Sequence, residues 1–183
     1  MADDRPLRTA LAEYLAVAGL PADSGTSQRW VKVRLLGIPI VFPNFDARRA
    51  VLVEHDVHHL LTGYRTDWTG EAEIGAYEIA TGCRHLWAAW FFNFGGFLFG
   101  LLIAPRRTWR AFVRGRRGAN FYGADRERTL QRTVAEARCL LGLDRAVGPA
   151  TFTDGLAFLG WAVLVVAYGA LPIAALAAVL SLP

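Results

Sequence analysis

The chain has 183 residues, 54% of them hydrophobic, a mean hydropathy of +0.27 and a formal net charge of +4. That length suits one domain with an appendage, and the hydropathy, high for a soluble domain, is concentrated in residues 86–104 and 155–183. Two cysteines, Cys83 and Cys139, without a CxxC or Cys/His pattern indicate neither a thiolate zinc site nor a disulfide framework, and the basic residues carry no nucleic-acid motif.

The N-terminal stretch MADDRPLRTALAEYLAVAGL lacks the long apolar core of a signal peptide. Leu7, Leu11, Tyr14 and Leu15 recur at helical spacing, so residues 6–18 read as a helix stopped by Gly19 and Pro21. Residues 30–42, WVKVRLLGIPIVF, are rich in β-formers but hold Gly37 and Pro39, which restricts them to a small hairpin or edge. Asp46 is placed to cap a helix over 47–62, ended by Gly63. A further helix starts near Asp67 or Thr69 and runs to Gly82. Residues 84–117 are helical in pattern, with breaks expected at Gly95-Gly96 and at Pro105. Asp125 opens a helix to about residue 141, with Leu130, Val134, Ala137 and Leu141 on one stripe, ended by Gly142. The expected fold is an all-α helical bundle. Both cysteines are expected as buried thiols.

From Gly155 to Pro183 there is no charged residue, and 29 residues exceed the roughly 20 that cross a bilayer. This divides the chain into a helical body, 1–150, and a hydrophobic membrane segment, 151–183. Arg132, Arg138 and Arg145 precede the segment and nothing basic follows it. By the positive-inside rule the body then lies on the cytoplasmic side of an inner membrane. The plainer alternative is a very apolar core helix. Residues 86–104 are also free of charge, but they hold Asn93 and the glycine pair, and a buried or lipid-lining helix pair fits them better than a second span. The basic residues are nineteen arginines and Lys32, with six arginines between 106 and 117. Arginine forks match phosphate oxygens, so this cluster suits an anionic lipid surface or a solvated helix face.

The chemistry lies in HDVHHLLTGYRTDWTGE, residues 55–71, which holds three of the four histidines. On a helix His55 and His59 stack one turn apart. Asp56 falls about 60° from His59, on the same flank, and His58 on the other side, where it is a supporting or packing residue. If the helix after Gly63 turns back, Glu71 in its first turn reaches His59. Two imidazoles and two carboxylates then converge: His55, Asp56, His59 and Glu71. Such donors suit Zn²⁺, Fe²⁺ or Mn²⁺ rather than Mg²⁺ or Ca²⁺. Tyr64, Asp67 or Glu78 are placed to support the site, Glu78 because it lies seven residues beyond Glu71 on the same face. The alternative is a buried polar network without metal.

The pattern His-Asp-x-x-His, eleven residues, Glu resembles the metal motif of the coenzyme Q biosynthesis protein 4 family. HHLLTGYRTDWTGEAEIGAYEIA and RAFVRGRRGANFYGADRERTLQRTVAEARCLLGL are similar to the segments around and after that motif, and the likeness covers roughly residues 30–143. The charge-free tail beyond 155 departs from it.

The resemblance implies a mostly helical bundle in which His55, Asp56, His59 and Glu71 hold a divalent metal, zinc first and iron second. A polyprenyl-quinone precursor or another prenyl lipid would occupy a hydrophobic tunnel beside it. The implied role is in ubiquinone biosynthesis, in oxidative decarboxylation of a polyprenyl aromatic acid, at a membrane and with other enzymes of the pathway. A prenyl-lipid-binding scaffold is the second reading, and a membrane protein with an incidental histidine cluster the third. For the lipid itself, Phe91, Phe92, Phe94, Phe97 and Phe99, with Trp87 and Trp90, form an aromatic-rich wall, with Phe91, Phe94 and Phe97 as its expected lipid contacts, and Arg106 and Arg110 are spaced to meet phosphates.

Overall fold

In the computed structural model of the chain the described residues are 3–35 and 37–180, the side chains at 34, 35, 38 and 171–180 excepted. They form eight helices and one antiparallel hairpin, the all-α body expected from the sequence. Residue 36 of the hairpin and residues 181–183 of the charge-free tail lie outside them.

Helix α1 (Leu7–Val17) buries Leu7, Ala10, Leu11 and Leu15, one stripe at helical spacing. Strands β1 (Trp30–Leu35) and β2 (Ile38–Pro43) pair with Val31 opposite Phe42 and Val33 opposite Ile40. Val31, Val33 and Phe42 therefore share a face of the hairpin. Helix α2 (Asp46–Thr62) is preceded by Phe45, which makes no side-chain cap. Asp46 stands inside the first turn rather than at the cap, and accepts from Arg49 Nη1 at 2.8 Å. Gly63, at φ +77°, ends the helix in the left-handed conformation that costs glycine nothing. Helix α3 (Trp68–Thr81) opens on Asp67, whose side chain accepts from the Gly70 amide at 2.8 Å.

Helix α3 is buried on nearly every side, and helices α4 (Trp87–Ile103) and α5 (Pro105–Gly115) pack on it. The expected break at Gly95-Gly96 is absent: α4 runs straight through the pair, and the chain breaks only at Ala104–Pro105. Gly96 is a contact residue instead. A Cβ built on it would stand 3.0 Å from the Glu71 carbonyl oxygen, so the missing side chain lets α4 lie against the first turn of α3. That packing sets the position of Glu71.

The single helix expected after Asp125 is two, α6 (Arg126–Leu130) and α7 (Val134–Leu140). Thr133 and Glu136 form a reciprocal cap at 3.1 and 2.8 Å, which starts a new helix in the middle of the apolar stripe. The stripe itself survives: Leu130, Val134, Ala137 and Leu141 are buried in one core with α1, Leu61 of α2 and Tyr77 of α3. Cys83 is buried, but Cys139, on the outer face of α7, is exposed.

Helix α8 (Phe152–Leu180) begins at a charged anchor. Asp154 accepts from Arg116 at 3.1 Å, from Arg117 at 2.8 Å and from the Thr151 amide at 2.8 Å. The helix then crosses the body, with Trp161 stacked on Trp90 at 5.3 Å and Phe158 against Phe97 and Trp109. Leu156, Leu159, Val163, Leu164 and Val166 are exposed. Among the described residues this is the one helix long and apolar enough to cross a membrane, over Phe152–Ala170. Helix α4 is shorter and packs against α3 and α8.

Candidate metal centre

Helix α2 presents His55 and His59 one turn apart, and Glu71 returns to them from the first turn of α3. The Nε2 atoms of His55 and His59 are 3.2 Å apart. Glu71 Oε2 lies 3.4 Å from His55 Nε2, and its Oε1 lies 3.4 Å from His59 Nε2. One donor atom from each of the three residues falls within 4.8 Å of the others.

The outward nitrogens decide what the inward ones carry. His59 Nδ1 is 3.0 Å from the Tyr64 carbonyl, which only accepts, so Nδ1 bears hydrogen and the neutral ring points a lone pair inward from Nε2. His55 Nδ1 is 3.2 Å from both Glu78 oxygens. Glu78 also accepts from Asn93 at 2.7 Å, Tyr122 at 2.6 Å and His58 at 2.7 Å. His58 must donate there, because its Nε2 accepts the Phe121 amide at 2.9 Å. Surrounded by donors, Glu78 is an ionised carboxylate although it is wholly buried. Burial alone would raise its pKa, but His55 and then His58 hold it well below the ordinary value.

Three acceptors thus face one another across the His55, His59 and Glu71 triangle. A positive charge reconciles them, either a proton on His55 or a metal ion. Burial works against a charged His55, but Glu78 and Glu71 outweigh it and lift its pKa well above the usual value. Burial would likewise raise Glu71, and its bonds to the two histidines bring it down to about 2. The spacing fits a metal. Two ligand atoms on a tetrahedral zinc, each about 2.0–2.1 Å from it, stand roughly 3.3–3.4 Å apart, close to the 3.2 Å between the histidine nitrogens, and Glu71 turns a different oxygen to each nitrogen at 3.4 Å, so both its oxygens are within reach of an ion between them. Each imidazole is also tethered through its other nitrogen by a carboxylate or a carbonyl, the support that metal-bound histidines characteristically have.

The fourth expected donor departs from this set. Asp56 is buried but is not among the donors that converge within 4.8 Å. One residue on from His55 it is rotated about 100° around α2, and its short side chain faces Ser24. Burial raises its pKa, and His55 and His59 partly offset that. The structure therefore brings together three of the four residues, with Asp56 beside them. His58, expected to support or pack, orients Glu78. Tyr64 supports the site with its backbone carbonyl, not its phenol.

A cavity of about 700 Å³ reaches this centre, within the range of small-molecule sites. His55, Asp56, Glu71, Asn93 and Tyr122 line its polar end, and Leu20, Val31, Val33, Phe42, Trp68 and Phe92 are among its apolar walls. Of the aromatic wall expected from α4, one member lines the cavity, and it is none of the three expected lipid contacts. Phe92 faces the cavity; Phe91 and Phe94 pack against Tyr168 of α8, and Phe97 is buried against Phe112 and Phe158. The reason is helical phase: Phe92 lies on the face of α4 turned to α2 and the hairpin, while the others face α5 and α8. Arg106 and Arg110 are exposed on α5, away from the cavity. The hairpin wall and Arg48 are the parts the sequence reading missed. Arg48 stands seven residues before His55, the same spacing that relates Glu78 to Glu71.

Compared with models of known protein families, with curated proteins and with solved structures, the chain finds no match.

Proposed function

We propose that this chain is a membrane-associated metalloenzyme of ubiquinone biosynthesis, acting in the oxidative decarboxylation of a polyprenyl aromatic acid. The observation that carries the reading is the mainly apolar cavity of about 700 Å³ whose polar end is formed by His55 and Glu71. The reaction class comes from the motif's resemblance; the cavity supports it by pairing a place for an isoprenoid chain with metal-ligating groups. Burying such a chain contributes about 25 cal/mol per Å² of apolar surface.

His55, His59 and Glu71 would hold the ion, zinc or iron, with Asp56 alongside. Bound there, it supplies a Lewis acid for a carboxylate or an oxygen-bearing group. Exchange of a carboxyl for a hydroxyl requires an oxidant. Zinc has no redox chemistry, so with zinc the oxidant is a separate molecule. Glu78 and the Tyr64 carbonyl orient the imidazoles, and Val31, Val33 and Phe42 of the hairpin give the cavity an apolar wall. Mass spectrometry of gently purified protein tests the reading. The expected result is one divalent metal per chain and a co-purifying prenylated aromatic. Protein that takes up neither zinc nor iron when offered them would refute it.

Helix α8 is the proposed membrane element, in an inner membrane with the body on the cytoplasmic side, where Arg116 and Arg117 flank its start. Leu159 and Val163 lie one turn apart on its exposed face. Replacing both with arginine costs about 2.5–3.5 kcal/mol each in the apolar part of a bilayer and leaves the packing face intact. The double variant is expected in the soluble fraction after flotation, while the parent floats with lipid. Co-flotation of both would mean that α8 is not inserted.

A further inference from the structure

Arg48 is the partly buried cation of the cavity, and the charges around it are unusually arranged. The other arginines that line internal contacts have carboxylate or carbonyl partners: Arg107 pairs with Glu73, Arg116 and Arg117 with Asp154, Arg126 with Glu54, and Arg114 donates to the Thr62 carbonyl. Among the described residues no carboxylate lies within ion-pair distance of Arg48. Its guanidinium makes one hydrogen bond to the described residues, from Nη1 to Asn44 Oδ1 at 3.0 Å. Asn44 is itself fixed, donating to the Gly25 and Gln28 carbonyls at 2.9 and 2.8 Å. The guanidinium also lies over the Phe92 ring, 5.8 Å from its centroid. Arg48 is therefore held in place by a buried amide and an aromatic face, at the wall of a cavity, with most of its five N–H donors free of protein partners among the described residues. Burial lowers its pKa, and Asp56 and Glu71 offset that only in part.

Seven residues separate Arg48 from His55. Two turns of α2 put both side chains on the same side of the helix, about 10 Å apart along its axis. We infer that Arg48 reads the charged head of the cavity's ligand, and that this ligand is an apolar molecule bearing a carboxylate. The planar fork suits two-point recognition of such a group, and Arg48 is the one arginine or lysine among the residues lining the cavity to offset the hydration an anion gives up there. This rests on the reading that the cavity takes a prenylated aromatic acid, and it makes Arg48 a specificity-determining residue for the ligand's carboxylate.

The test measures binding of a farnesylated 4-hydroxybenzoic acid and of its methyl ester to the metal-loaded full chain, by tryptophan fluorescence, since Trp68 lines the cavity. The parent is expected to prefer the acid. Arg48→Met is expected to weaken acid binding by about ten- to hundred-fold, the worth of a charged hydrogen bond, and to leave ester binding unchanged. Arg48→Lys, which keeps the charge and loses the fork, should fall between the two and serves where Arg48→Met does not fold. A parent that binds acid and ester equally overturns the inference and leaves the cavity reading standing. A preference for the acid that persists in both variants also overturns it, because the carboxylate is then read by another group. Binding of neither compound to the parent removes the cavity reading and the inference together.

Discussion

Glu78→Ala is expected to destabilise the protein by about 3–5 kcal/mol, the usual cost of stripping one partner from a buried charged network. At about 2–4 °C per kcal/mol for a domain of this size, the melting temperature falls by on the order of 10 °C. The variant leaves His55, His58, Asn93 and Tyr122 pointing at empty space, because the one carboxylate accepts from all four. Glu78→Gln separates charge from volume. It keeps the shape but replaces an acceptor oxygen with a donating amide, so at least one of the four contacts becomes donor against donor. A loss of stability comparable to that of the alanine variant is expected by thermal melting. A cost below about 1 kcal/mol for both would show that Glu78 is not the ionised centre of the network. Metal affinity should fall as well, by roughly 10–100-fold, because Glu78 fixes the ring of His55.

The second large effect is expected at Glu71. Its carboxylate faces only His55 and His59 and belongs to none of the core clusters. Glu71→Ala should lower the melting temperature of the metal-free chain, because His55 and His59 lose the carboxylate they pair with, but by less than Glu78→Ala, since Glu71 is partly exposed and Glu78 wholly buried. It should weaken metal binding by more than about 100-fold, beyond what loss of an orienting residue does. The consequence for function separates the enzyme from the scaffold. An enzyme loses turnover and keeps its fold and its prenyl-lipid binding. If metal loss instead collapses the fold, with a large drop in melting temperature and no lipid binding, the metal is a staple between α2 and α3 and the chain is a lipid-presenting scaffold. Calorimetric metal titration and thermal melts on the same samples decide between them.

The spacing of four residues along a helix, and of twelve more across a glycine turn, was enough to bring His55, His59 and Glu71 together in expectation. Both spacings are local: one is the helical repeat, the other a turn closed by Gly63 and opened by Asp67. The same reasoning put Asp56 on the shared flank. It went no further because azimuth alone cannot tell which way a short side chain leans, and Ser24, from a distant loop, lies beside this one. The helix breaks show the same limit. Pro105 ends α4 for a reason carried by its own ring, whereas Gly95 and Gly96 end nothing, because the neighbouring α3 uses Gly96 as a place of close approach.

Residue types and their local order determined the helical class of this protein, the apolar stripe of α1, α6 and α7, the charge-free stretch of α8 beyond Asp154, and a histidine-rich turn at the end of α2. These follow from periodicity and capping, which act over a few residues. Tertiary packing alone decided that Glu78 gathers four donors from α2, α4 and the segment after α5, that Phe92 rather than Phe91 or Phe94 faces the cavity, and that the hairpin forms its far wall. Which groups meet across a bundle depends on the phase and tilt of whole helices, and those are settled when buried charges find partners and apolar faces find one another.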